Sequence, residues 1–421
     1  MTRTKRLTLC LRHFNPKEFP SSSSSKLSLS KLTSRLLPKP KSPTPTFQTA
    51  LTHLFKYLPI LPNITSLKIE LWHIPLALLP TLYQTITTSP VAMTIQKLRL
   101  SGHVDMFALL GEYSNPQRKP ENSFGNLTEL NLELINRQLL HFVTSLSPAA
   151  INTPNSVLGL AQFVLSLSPS LELLRIWNWS TTLDLSLFFS YLFQPLPGSS
   201  PLIPFPKLKS LLLILPFNTS LQSSPESLHR FLLTHSNTLQ HLQLRLKMKR
   251  AQLDPDMEEP LGTWLSHLVD DAAYDPTIRP PPSPFFPNLQ TLDIYPTATP
   301  AGLSALLTMI KRTAPTLSSL TIRDRYLTRE EAKQVLDALT EGDEGQVRVG
   351  FRAQAQPTKT REGVIEPANL KSLRMNITHL TVHFLDILAQ ALPQLQSLWL
   401  SVSEIVGSGR VRSFFRNDSS T

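Results

Sequence analysis

Apolar positions along this chain recur in one fixed phrase: an aliphatic residue, two others, an aliphatic, one other, and a third aliphatic. In FPNLQTLDIY (Phe286–Tyr295) the three are Leu289, Leu292 and Ile294. Ten segments match, starting at Ile64, Ile95, Leu127, Leu171, Leu208, Leu239, Leu289, Leu317, Leu370 and Leu395. The starts lie 31, 32, 44, 37, 31, 50, 28, 53 and 25 residues apart, so a unit of 25–32 residues recurs with insertions. Strand side chains alternate, so the last two aliphatics of each phrase face the same way.

The residues before several phrases follow a helical period. In AGLSALLTMIKRTAP, Leu303, Leu306, Leu307 and Ile310 fall on one stripe. RYLTREEAKQVLDAL places Thr328 three residues before Glu331, a capping box that predicts a helix start just after Thr328. A proline stands two residues ahead of the phrase at Pro62, Pro169, Pro206, Pro287, Pro315 and Pro393. Proline cannot continue a helix and biases its predecessor toward extended backbone, so it is expected to end each helix and launch the strand.

A lone strand-and-helix unit leaves its inward strand face and its helix stripe wet. Stacking units buries both, at about 1.5–3 kcal/mol per enclosed aliphatic. The expected fold is α/β, an irregular horseshoe-like solenoid with a parallel β-sheet on the concave face and helices outside. Residues between and after the aliphatics then face the concave side, and the row mixes charge with aromatics. Trp, Tyr and Arg dominate interface energetics, so a partner surface is expected at Lys68, Arg99, Arg175, Trp177, Arg245, Tyr295, Arg323, Arg374 and Trp399. Ser210, Leu212 and Ile214 are too apolar for open solvent and should be covered by an insertion or a partner.

The phrase resembles the leucine-rich repeat. The long uneven units, with FLLTHSNTLQHLQL (Phe231–Leu244) and the run from Leu373 to Ile405, resemble the repeat region of fungal F-box/leucine-rich-repeat proteins. That resemblance implies a leucine-rich-repeat solenoid that acts as a protein-binding module, recruiting substrates to a cullin-type ubiquitin ligase in the cytoplasm or nucleus. The family's F-box, which grips the ligase adaptor, has no counterpart in the residues before the first phrase. A stand-alone scaffold or regulator is the alternative; a basic-tailed nucleic-acid binder is the lesser one. The Asn that many such repeats carry eight residues after the first Leu is replaced here, for instance by His103, Arg325 and Thr378. No stacked Asn ladder is therefore expected.

Composition changes this picture in two places. Of the net charge of +11, nine units lie in residues 1–41, where ten Lys and Arg face Glu18 alone. The remainder is nearly neutral, which argues against a duplex-binding face on the folded body. Glycine is scarce, at 13 residues, while proline reaches 37, a balance that disfavours phosphate-cradling loops. The single cysteine, Cys10, allows no internal disulfide.

The expected organisation is a basic segment at 1–19 with a first strand near 6–11, followed by a Ser/Pro-rich linker at 20–46. The repeat domain then spans 47–407, with insertions near 112–126, 194–206, 247–288 and 341–369, and a disordered tail closes the chain at 408–421. An organelle transit peptide is the rival reading of the basic arm.

Chemistry-bearing motifs are sparse. His229 with His235, and His379 with His383, lack a third ligand at metal spacing. Asp270-Asp271 and Glu330-Glu331 fall at helix ends, where carboxylates complement the dipole. No nucleophile elbow, P-loop or H-E-x-x-H is present. The expectation is a monomeric, non-enzymatic protein without cofactor or metal that meets its protein partner on the concave face or the insertions, away from membranes.

Overall fold

A computed structural model describes residues 6–9, 53, 56–58, 61, 63–71, 74, 76–113, 124–135, 154–178, 185–194, 204–216, 226–247, 286–295, 300–341, 369–406 and 411–413. The Ser/Pro-rich linker, most of the four insertions and Pro62 lie outside these residues. The chain divides into two compact units, Met1–Leu167 and Ser168–Thr421.

The first unit holds strands β1 (Arg6–Leu9), β2 (Ser66–Glu70), β3 (Lys97–Gly102) and β4 (Glu129–Leu134). They lie side by side in chain order and pair in parallel, with Leu67, Leu98 and Leu130 in one register. Helices α1 (Leu79–Thr88), α2 (Val91–Thr94), α3 (Val104–Tyr113) and α4 (Pro154–Ser166) complete it. The crossing of α3 and α4 is tight. A Cβ on Gly111 would sit 1.9 Å from the Gly159 carbonyl oxygen, and one on Gly159 would sit 2.7 Å from Ala108 Cα. Only glycine permits that backbone approach.

The second unit holds β5 (Leu173–Asn178), β6 (Ser210–Pro216), β7 (His241–Lys247), β8 (Thr291–Tyr295), β9 (Ser319–Leu327), β10 (Ser372–Leu380) and β11 (Ser397–Val406). These seven are parallel and in chain order. The expected tail contributes one more element. Strand β12 (Val411–Ser413) folds back antiparallel on β11, as a connection too short for a crossover requires. Among the described residues its helices are α5 (Leu185–Tyr191), α6 (Glu226–Thr234), α7 (Pro300–Thr313), α8 (Arg329–Glu341) and α9 (Val382–Ala391). The fold is the expected α/β repeat solenoid, with parallel strands and interposed helices.

The phrase is the physical repeat. In the second unit its middle aliphatic forms one continuous row, Leu174, Leu211, Leu242, Leu292, Leu320, Leu373 and Leu398. Through Leu373 each is no more than 1% exposed. Leu398 is 41% exposed, because among the described residues no further helix follows β11 to cover it. The row is the core: each side chain is enclosed by its neighbours in both directions along the array.

Proline acts more locally than expected. The N–H of the first Leu of a phrase donates to the residue before the proline, as in Leu289 to Phe286 (3.1 Å), Leu208 to Phe205 (3.1 Å) and Leu395 to Leu392 (3.1 Å). Proline thus occupies the second position of a hydrogen-bonded turn, where its fixed φ is favourable. At Pro315 and Pro393 a helix, α7 or α9, does end just before. At Pro206 and Pro287 the preceding described residue is instead a fully buried Phe with positive φ, 54° at Phe205 and 49° at Phe286. Such backbone is costly for an aromatic residue and is held by burial of the ring.

Beyond each turn, one carbonyl knits adjacent units. Gln240 O accepts from both Gln290 N (2.8 Å) and Thr291 N (3.0 Å), and Lys371 O does the same for Gln396 N and Ser397 N. No Asn ladder is needed for this.

Candidate functional site: the open face of the sheet

Opposite the buried row, most alternate strand residues are half-buried or exposed, with Glu70, Ser101, Ile214 and Asp293 buried among them, and the nine expected contact residues fall at these alternate positions. Lys68 and Arg99 belong to the first unit; the other seven belong to the second. In the first unit the cations are neutralised in place. Lys68 meets Glu70 at 3.0 Å, Lys97 meets Glu129, and Arg99 meets Glu133 at 3.2 Å. Ser101 also donates to Glu133 at 2.9 Å.

In the second unit one carboxylate serves several donors. Asp293 of β8, only 9% exposed, accepts from Gln243 Nε2 (2.6 Å) and from Arg245 on β7. From β9, Arg323 Nη2 reaches the same carboxylate at 3.3 Å. Arg245 and Arg323 are thus drawn together from strands that flank β8. A buried carboxylate needs such partners, and Asp293 obtains them from both sides. Tyr295 stands in backbone register with Arg245; its side chain lies outside the described set.

Arg175 and Trp177 are half-buried on β5, in register with Leu212 and Ile214. Ile214 is 8% exposed between the Trp177 and Arg245 positions, while Ser210 and Leu212 are half-buried. Trp399 behaves differently. It is 57% exposed, and the Arg374 guanidinium lies 3.8 Å from its ring centroid. That is a cation–π contact on the outermost parallel pair.

A feature missed in the sequence adjoins it. Register between β9 and β10 runs Ile322 to Met375 and then jumps to Leu327 with Ile377, so β9 carries three extra residues. The bulge is stapled by two side chains of β10: Asn376 Nδ2 donates to Arg323 O (2.9 Å) and Thr378 Oγ1 to Leu327 O (3.0 Å). It pushes out Tyr326, which is 46% exposed and whose hydroxyl lies 3.5 Å from Ser401 Oγ on β11. Bulges commonly re-aim side chains at functional surfaces. The available signal was TIRDRYL, where the alternation breaks and four polar or aromatic residues separate Ile322 from Leu327.

The bulge is anchored on its other side by the expected capping box. Thr328 N donates to Glu331 Oε2 (2.8 Å), Glu331 N to Thr328 Oγ1 (3.3 Å), and Arg325 pairs with the same carboxylate. Burial raises the Glu331 carboxyl, but the Thr328 backbone N–H and the Arg325 guanidinium outweigh it and hold the group below its ordinary value.

Of the histidines weighed as ligands, His235 is 1% exposed and packs 4.6 Å from the Phe231 ring, with Phe205 at 6.1 Å. Its pKa falls to about 4 because burial disfavours the imidazolium. Among the described residues no three His, Cys, Asp or Glu gather to hold a metal ion, and no helix is long and apolar enough to cross a membrane.

No protein-family model matches the chain, and no curated protein matches it. Among solved structures, a structural-genomics target from Bacteroides fragilis is 16% identical, with 75% of this chain and 68% of that one covered at a TM-score of 0.38. A likeness of that size carries no inference about function, so the solenoid assignment rests on strand order and register.

Proposed function

We propose that this protein is a protein-interaction module that holds a partner on the open face of its second unit. The observation that carries this is Trp399, a large apolar ring left more than half exposed and braced by Arg374. Arg and aromatic residues anchor interfaces because they bring area and directional donors at small entropic cost. The broader resemblance supports a role in recruiting substrates to a cullin-type ubiquitin ligase; a stand-alone scaffold is the alternative.

The test is affinity purification of the full chain beside an Arg374→Glu/Trp399→Ala variant with an unchanged melting temperature. Specific partners retained by the first and lost by the second support the module. Partners held equally by both would move the interface elsewhere. Co-purification of the cullin adaptor, with this chain or with one extended upstream, separates ligase receptor from scaffold.

A further inference from the structure

Resting on that reading, we propose the chemistry of the partner: an extended protein segment carrying an Asp or Glu carboxylate next to an aromatic residue. The carboxylate is taken by Arg374, and the ring packs against Trp399 and Tyr326.

Charge selects the sign. In the first unit, Lys68, Lys97 and Arg99 each have a carboxylate within reach. At the β9–β11 patch the balance is different. Arg374 has no carboxylate partner among the described residues; its contact is the Trp399 ring. Stacking on an aromatic face occupies the guanidinium plane but leaves the in-plane N–H donors directed outward, the geometry a carboxylate uses bidentately. Arg323 shares Asp293 with Arg245, and its Nε is buried without an acceptor. An incoming anion therefore meets the uncommitted guanidinium of Arg374, whereas Arg323 is held by Asp293.

Shape selects the rest. Tyr326 reaches from β9 to Ser401 on β11 and so spans β10 at Asn376, the residue in register with Ser401. Trp399 lies two residues earlier on β11. Tyr326, which crosses over Asn376, and Trp399 thus present two exposed rings on one face. β9 and β10 are each paired on both sides, so a ligand lying over Arg374 and Tyr326 cannot add there as another strand and is read by side chains. A carboxylate suits Arg374 as Asp293 suits Arg245 and Arg323 on the same face.

The experiment uses the full chain against displayed peptides of about 12 residues in three pools: Asp/Glu-rich, the same pool with Asn/Gln replacing the acids, and Lys/Arg-rich, all including aromatics. The acidic pool should enrich. The best acidic peptide, measured by fluorescence anisotropy, should bind Arg374→Glu at least about tenfold more weakly and Arg374→Lys a few-fold more weakly. Tyr326→Ala should also weaken it, with all variants melting like the parent. Enrichment of the basic or amide pool, unchanged affinity in Arg374→Glu, binding only when a phosphoserine replaces the acid, or preference for a single-stranded RNA probe would each overturn the proposal. A purified partner that binds Arg374→Glu as well as the parent would overturn this patch while leaving the interaction module standing. If neither a peptide nor a protein partner binds, both readings fail.

Discussion

His235 shows how one residue can set a pH limit on the second unit. It is neutral and enclosed by Phe231 and Phe205, with a pKa near 4 against the ordinary 6.5. The unfolded chain binds that proton more readily, so stability is complete above about pH 6.5 and falls as pH drops toward 4, by about 3 kcal/mol at most. Urea unfolding at pH 7.5 and 5 should reveal the loss, and His235→Leu should remove most of the difference. Gly111 and Gly159 are the matching steric limit in the first unit. Gly111→Ala puts a methyl on the Gly159 carbonyl, so α3 and α4 must separate and the thermal midpoint should drop by several degrees. Neither effect can be read from the sequence, because periodicity does not say which helices cross or how closely.

At the level of elements, the capping box was legible and the bulge was not. Thr328 and Glu331 announce themselves by spacing, and α8 begins where they predict. Thr328→Ala should cost about 1 kcal/mol by chemical denaturation. Glu331→Gln should remove the part of the acid-induced loss that begins near pH 4.5, where the unfolded carboxylate takes up its proton, and is complete once pH falls through the lower folded value. Strand register was equally legible, since a shift by one residue would expose the whole aliphatic row. The proline turns were half legible: the break is visible in sequence, while the positive φ of Phe205 and Phe286 depends on rings that tertiary packing buries. Tyr326 was invisible because a phrase ending at Ile322 gives no reason to continue the strand to Leu327.

Across the molecule, the repeat makes stability a matter of neighbours. Leu320 is buried between Leu292 and Leu373, so Leu320→Ala should cost about 2–5 kcal/mol. The loss should speed hydrogen exchange in β8 and β10 as well as β9, fading with distance along the array. Exchange confined to β9, or uniform throughout the chain, would contradict nearest-neighbour coupling. Composition located the basic charge correctly in residues 1–41, but which face cations of the remainder are matched by carboxylates was settled by tertiary placement. Lys68 and Arg99 looked equivalent to Arg374 in sequence, yet only Arg374 lacks a carboxylate partner among the described residues.

The bulge in β9 also has an arithmetic consequence. Five steps separate Ile322 from Leu327 on that strand, whereas two separate their partners Met375 and Ile377. The excess is odd, so it is the irregularity itself that returns Leu327 to the interior after an interval that simple alternation would have ended pointing outward. Removing Tyr326 alone still leaves β9 two residues longer than β10 across this interval, so the carbonyls that Asn376 and Thr378 staple are displaced. Excising Asp324, Arg325 and Tyr326 together shortens the interval to match β10. The larger deletion should be the better folded of the two, an inversion that thermal melting would show directly.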